Sequence, residues 1–281
     1  MLGCFIILMH QYFKYHALGN DYVVLDPTTF KVELTPSRIQ RLCHRNLGIG
    51  SDGILYGPSM FSNEGIPEVR IYNPDGSEAE KSGNGIRIFT KYLFDRGYTF
   101  NNPVELKTKG GKVTVTKNNA EATNFTVAMG TLVIGEPQTV KLEDQEYCLH
   151  PVAIGNPHCI IIADDISEAL ARRVGPLIEN HPYFPQRTNV QLVKVLDREN
   201  IQMEIWERGA GYTLASGSSS SAAASVCHHQ GLCGRVVQVH QPGGTLEILI
   251  KDDYEILLTG DVSSVAAGKF TPAFIQQLQR L

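Results

Sequence analysis

Two Gly-flanked segments, 75–85 (Asp-Gly-Ser-Glu-Ala-Glu-Lys-Ser-Gly-Asn-Gly) and 207–218 (Glu-Arg-Gly-Ala-Gly-Tyr-Thr-Leu-Ala-Ser-Gly-Ser), each set a serine before a glycine where a helix pattern begins. Ser82 and Ser216 thus hold matching places in the two halves of the chain. Behind Ser82, residues 84–96 carry Ile86, Phe89, Tyr92 and Leu93 at helical spacing, and behind Ser216 residues 215–229 are mostly small and apolar. Both segments read as helices packed inside their domains. The halves share little sequence beyond these Ser-Gly starts, so the duplication they imply rests on pattern.

Strand patterns surround each helix. From Tyr12 to Asp26 the chain reads as strand, tight Gly-Asn turn and buried strand, closed by Asp26 and Pro27, which makes a hairpin. Residues 35–45 open on Thr35-Pro36 and place Ile39 and Leu42 on one face, a short amphipathic helix. β-rich stretches follow at 112–116, 125–128 and 140–142, with turns at 109–111 and 117–119. The second half repeats the plan, with strands around 148–162, a helix over 167–174 and strands at 190–195 and 201–206. The 117–119 turn is the candidate boundary between a first domain of 1–119 plus 264–281 and a second of 120–263.

Composition narrows the partners. A chain of 281 residues with 42% hydrophobic content can bury a sizeable core and build two domains. The formal charge of −4, with acids and bases interspersed, suggests neither a nucleic-acid groove nor an anionic membrane surface and favours a small-molecule partner. Six cysteines (Cys4, Cys43, Cys148, Cys159, Cys227, Cys233) are spread too thinly for a secreted disulfide framework, so a reducing cytoplasm is the simpler location. The apolar opening at 1–9 lacks a basic n-region and a cleavage site and is too short to span a bilayer. It reads as the first strand with a few extra residues, Met9 being an alternative start.

Polar clusters beside Gly or Pro gather around the serines: Asn73-Pro-Asp-Gly-Ser-Glu78, Gly155-Asn-Pro-His158, Phe184-Pro-Gln-Arg-Thr-Asn189 and Glu207-Arg-Gly-Ala-Gly211. With His16-Ala-Leu-Gly-Asn-Asp21 and Gly48-Ile-Gly-Ser-Asp-Gly53 they occur in the order found in diaminopimelate epimerases, which the chain resembles over nearly its whole length. The resemblance implies an α+β fold: two pseudo-twofold-related domains, each a curled, mainly antiparallel sheet around a central helix, with the active site in the interdomain cleft. It implies no cofactor and no metal. The implied activity is interconversion of LL- and meso-diaminopimelate, a lysine and peptidoglycan precursor, by two-base proton transfer at the α-carbon. Asn20, Asn73, Asn156, Asn189, Glu207 and Arg208 would hold the substrate, and Gly83, Asn84, Gly217 and Ser218 would offer helix-start donors to its reacting carboxylate. Such N-termini hold an anion and stabilise the charge that grows as the proton leaves. Family members often pair, which makes a homodimer one expectation, although sequence leaves the assembly open.

In the resemblance Ser82 and Ser216 stand at the positions of the family's two catalytic cysteines. A thiol with a reference pKa near 8.5 is readily deprotonated at a helix start, whereas a serine hydroxyl is a weak base unless a neighbour takes its proton. Three explanations stand: a laboratory Cys→Ser pair, a natural branch using another base, or an amino-acid-binding relative without turnover. The serine-rich 216–222 run and Lys81 before Ser82 favour the natural branch. His158 and Glu207 are the candidates to activate the serines or to act directly. A relative that removes a proton from one face only is a further alternative.

Other residues have plainer readings. Cys227-His-His-Gln-Gly-Leu-Cys233 has metal-like spacing but no second ligand cluster, so helix-end packing suffices. Cys159 beside His158 points to the opposite strand face and reads as packing. Trp206 is expected in the core next to the site.

Overall fold

The computed structural model describes residues 10–59 and 65–281. The sequence expectations for 1–9, Cys4 included, lie outside the described residues. The chain divides into two compact units. The first holds the described residues through Ala17, Asp21–Thr123 and Val262–Leu281, and the second holds Leu18–Asn20 and Asn124–Asp261.

The first unit opens with β1 (Gln11–Ala17) and β2 (Asn20–Leu25), joined by a turn in which Leu18 and Gly19 both have positive φ, 54° and 82°. That geometry matches the twist of a two-residue hairpin. In β1 the residues Phe13, Tyr15 and Ala17 alternate inward, whereas β2 is buried almost continuously because it is an inner strand. Helix α1 (Pro36–Cys43) starts as the sequence predicts, with Thr35 Oγ1 accepting from Arg38 N–H and Pro36 in the first turn. It buries Ile39, Leu42 and Cys43 against Phe30 and Leu25. Next come β3 (Ile54–Ser59), β4 (Glu68–Tyr72), β5 (Glu78–Ala79), helix α2 (Gly83–Asp95), β6 (Val104–Thr108) and β7 (Gly111–Lys117). β2 and β3 are parallel, β3 and β4 antiparallel, β4 and β6 parallel, and β6 and β7 antiparallel. Residues Gly83 to Leu93 of α2 are all buried, the condition of a helix enclosed on every side.

The second unit begins with β8 (Asn124–Thr131), β9 (Val133–Ile134), β10 (Gln138–Leu142), β11 (Gln145–Ala153) and β12 (Pro157–Ile162). Helix α3 (Glu168–Glu179), β13 (Asn189–Val195), β14 (Asn200–Glu207), β15 (Gly211–Thr213), helix α4 (Gly217–His229), β16 (Val236–Gln241), β17 (Gly244–Ile250) and β18 (Glu255–Asp261) complete it. From β11 onward the order strand, strand, helix, three strands, helix, two strands repeats that of β1 to β7. The pairings repeat too: β12 and β13 parallel, β13 and β14 antiparallel, β14 and β16 parallel, β16 and β17 antiparallel. α4 touches β11 to β14 and β16 to β18, so one curled sheet surrounds it. Its small residues, with Ala222, Ala223 and Ala224 fully buried, let the strands approach closely. The last segments, β19 (Ser263–Lys269) and α5 (Pro272–Gln279), return to the first unit, where β19 pairs antiparallel with β1 and Phe270, Ile275 and Leu278 enter the α1 core.

One local expectation is corrected. The helix predicted over 167–174 continues to Glu179, through Gly175 and Pro176, which in sequence read as a stop. Packing overrides the local signal: a Cβ at Gly175 would lie 2.5 Å from Trp206 Cγ, so the helix presses its backbone onto the indole. The first unit runs to Thr123, whose N–H donates to Asn119 Oδ1 at 2.9 Å, and the chain then enters β8.

Candidate active site

In the first unit the candidates Ser82, Gly83 and Asn84 stand at the N-terminus of α2. Ser82 is the N-cap, extended at φ −143°, and its Oγ accepts from Gly85 N–H at 3.1 Å. The helix's first i→i−4 bond runs from Ile86 N–H to Ser82 O, so the Gly83 and Asn84 amides precede the ladder, as helix-start donors do. Asn84 faces inward and its Oδ1 accepts from Arg87 Nη2 at 2.7 Å, a fully buried guanidinium that braces the first turn. Tyr22 on β2 places its Oη 3.2 Å from Ser82 Oγ. Its ring lies across Gly53, where a Cβ would sit 2.6 Å from Tyr22 Cε1. Burial lowers the Lys81 ammonium pKa. Asn73 opens the exposed turn before β5 and donates from Nδ2 to Ser77 Oγ at 3.0 Å.

In the second unit Ser216 caps α4, but its side chain makes no cap hydrogen bond; its N–H donates to Gln241 Oε1 at 2.8 Å. The Gly217 and Ser218 amides precede the first helical bond, Ser220 N–H to Ser216 O. The neighbouring serines have structural work: Ser220 and Ser221 donate to the carbonyls of Ser216 and Gly217, and Ser219 Oγ accepts from Gln191 Nε2 at 2.9 Å. Serine enrichment here follows from a buried helix bonding to itself and to β13.

In the same unit Asn156 and His158 form one hydrogen-bonded pair and Asn189 and Arg208 another, carried on the adjacent strands β12 and β13 and the end of β14. His158 pairs in register with Asn189 across β12 and β13. Asn189 Nδ2 donates to Pro157 O at 2.9 Å, and its Oδ1 accepts from Arg208 N–H at 2.9 Å. Arg208 Nη1 donates to the Gln186 carbonyl at 3.1 Å, and among the described residues its guanidinium joins no ion pair. An exposed cation held at one edge is suited to a second carboxylate on a ligand. Glu207, the last residue of β14, is half-buried. Asn20 lies at the hairpin tip that belongs to this same unit.

His158 is only 1% exposed, and its Nε2 lies 3.1 Å from Asn156 Oδ1, which orients that carboxamide. Burial pushes its pKa down to about 4; the Gln191 carboxamide pulls it up and the Arg208 charge adds a smaller push down. The ring is therefore neutral at pH 7, and such a low pKa makes it a weak base. In the unfolded chain it binds a proton near pH 6.5, so stability is complete above that pH and declines as pH falls toward 4, by an amount on the order of 3 kcal/mol. Urea titrations across pH 4 to 7 are expected to show that slope flattened in His158→Gln.

Sequence reasoning missed four supporting residues. Tyr22 and Gln241 lie far in sequence from the serines they contact, and Gln191 sits in an apolar strand. The fourth is Glu179, 5% exposed, which accepts from Arg187 Nη1 at 3.0 Å, Trp206 Nε1 at 2.7 Å and Gly209 N–H at 3.0 Å. It ties the turns that carry Asn189 and Arg208 to the end of α3. Trp206 is thereby half-buried and hydrogen-bonded rather than a simple core residue. Cys159 is fully buried, and burial pushes its thiol up. Its neighbour His158 is buried on the other face because α3 covers one side of the sheet and α4 the other. Cys227 and Cys233 are free and buried, with His228 Nδ1 3.2 Å from Cys233 O. Among the described residues no group of three His, Cys, Asp or Glu could hold a metal ion.

Two mixed α+β units of one topology, each with a serine-capped buried helix, define a fold shared with known epimerases. A hydroxyproline epimerase from Agrobacterium vitis, solved with trans-4-hydroxy-L-proline, matches with a TM-score of 0.74 at 13% identity, covering 95% of each chain. A predicted epimerase from Pseudomonas aeruginosa matches with a TM-score of 0.66 at 15% identity, over 93% of this chain and 99% of that one. These establish likeness of fold. The family model described as diaminopimelate epimerase matches residues 12–134 and 151–265. Diaminopimelate epimerase 2 of Nostoc sp. (strain PCC 7120) is 50% identical over 274 residues, covering 93% of this chain and 95% of that protein. Diaminopimelate epimerase of Leptospira biflexa is 36% identical, covering 91% and 97%. The chain belongs to the diaminopimelate epimerase family.

Proposed function

We propose that this protein is a cofactor-independent amino-acid epimerase, an isomerase that interconverts LL- and meso-diaminopimelate in the cytoplasm for lysine and cell-wall precursor synthesis. Ser82 and Ser216 occupy the proton-transfer positions. The observation that carries this reading is their equivalence: each is the N-cap of the buried helix in a unit of the same topology. Asn156, Asn189 and Arg208 supply amide and guanidinium groups suited to a substrate with a second amino-acid head. Support also comes from the 50% identity to a protein named for this activity.

The hydroxyls favour a second reading, an amino-acid-binding relative without turnover, because serine is seldom ionised near pH 7. Incubation with LL-diaminopimelate in heavy water separates the two. The epimerase reading expects deuterium at the α-carbon with inversion to the meso form. Tight binding with no exchange, in this chain and with cysteine at both positions, would leave only the binding protein.

A further inference from the structure

We propose that the Tyr22 phenol is the proton-relay partner of Ser82, the group that lets a serine act where an isolated hydroxyl would not. The inference rests on the epimerase reading and concerns the Ser82 half of the chemistry alone. Three observations carry it. Tyr22 Oη lies 3.2 Å from Ser82 Oγ, in a contact where either oxygen can donate. The Tyr22 side chain is held in place, since its residue is 6% exposed and its ring covers Gly53, a position no larger residue could occupy without displacing it. Ser82 Oγ already accepts from Gly85 N–H at 3.1 Å, so the phenol is a second neighbour, and one that titrates more easily than an aliphatic alcohol, with a reference pKa near 10. Ser216 is different: its side chain makes no cap bond, and its backbone neighbour Gln241 is a carboxamide that cannot accept a proton at any ordinary pH.

The two donor directions of the contact correspond to the two directions of transfer. When a proton is taken, the substrate Cα–H bond breaks, its proton goes to Ser82 Oγ, the Oγ proton passes to the Tyr22 phenolate oxygen, and the electron pair stays on carbon. When a proton is given, the phenol proton passes to Ser82 Oγ while the Oγ proton passes to carbon, and the phenolate remains. Each direction ends in the form from which the other starts, and in successive turnovers of one direction the Tyr22 phenol gives the proton it has gained to solvent water, which is also the route by which solvent deuterium enters. The Gly85 amide and the positive end of α2 stabilise the charge on Oγ during the exchange.

The test measures α-deuterium incorporation from heavy water into LL-diaminopimelate, comparing Tyr22→Phe in the native chain with Tyr22→Phe in the Ser82→Cys, Ser216→Cys chain. In the native chain the loss is expected in kcat, about a hundredfold, in line with removal of a positioned acid–base group, while KM moves less than threefold. With a thiol at 82, which ionises without help, the same substitution costs less than tenfold. Melting temperatures of all four proteins confirm that folding is kept. Equal losses in the two backgrounds, or a native loss under threefold, would overturn the relay. Exchange by the double cysteine chain but none by the native chain would overturn the relay and show an epimerase site disabled at its proton carriers, and exchange by neither would remove the epimerase reading along with it.

Discussion

Placing cysteine at both Ser82 and Ser216 is expected to raise the rate of deuterium incorporation at the diaminopimelate α-carbon by about a thousandfold, within the range a positioned acid–base pair supplies. Position is already provided. Both residues are N-caps in extended conformation, φ −143° and −147°, ahead of first-turn amides that precede the helical ladder. What serine lacks is an accessible ionised form. A thiol near 8.5, lowered further at a helix start, is partly thiolate at pH 7. Mass spectrometry of the substrate after timed incubation gives the rate. An unchanged rate in the double variant would mean that these caps are not proton-transfer positions, whereas the single variants separate the contribution of each cap.

The second large effect is expected at Glu179, through the turns it holds. Its carboxylate accepts three hydrogen bonds, from Arg187, Trp206 and Gly209. Glu179→Gln keeps the shape but replaces one acceptor oxygen with a donor that faces other donors, at about 2 kcal/mol. For a chain of this size that corresponds to a fall of about 4–8 °C in melting temperature. Because Arg208 follows β14 and precedes Gly209, its guanidinium loses its fixed approach, and KM for diaminopimelate is expected to rise at least tenfold with kcat changing less. A lower melting temperature with an unaltered KM would confine Glu179 to stability.

Much of this arrangement is legible in sequence. Thr35-Pro36 marks the start of α1, the Ser-Gly pairs mark α2 and α4, and the polar clusters name Asn156, Asn189 and Arg208, because caps, glycines and periodic apolar residues act locally. What escapes is non-local. Gly175-Pro176 signals a helix end by every local rule, yet the indole of Trp206 keeps α3 going. Glu179 looks like an ordinary surface acid until three donors from other segments converge on it. Tyr22 reads as one more apolar strand residue, and only the bare backbone of Gly53 beneath it and Ser82 across from it, 60 residues later, give its hydroxyl a purpose. His158 reads as a candidate base by its neighbours in sequence, and what sequence does not show is its near-complete burial and its contact with Asn156.

The return of β19 and α5 to the first unit reverses the order in which the nascent polypeptide can finish its parts. The strands and helices drawn from Asn124–Asp261 have nearly all their partners once Asp261 has left the ribosome. The amino-terminal unit must wait with an uncovered edge on β1 and without Phe270, Ile275 and Leu278 in its core. The part begun first is the part sealed last, and a stop codon anywhere after Asp261 would injure the opposite end of the gene product most.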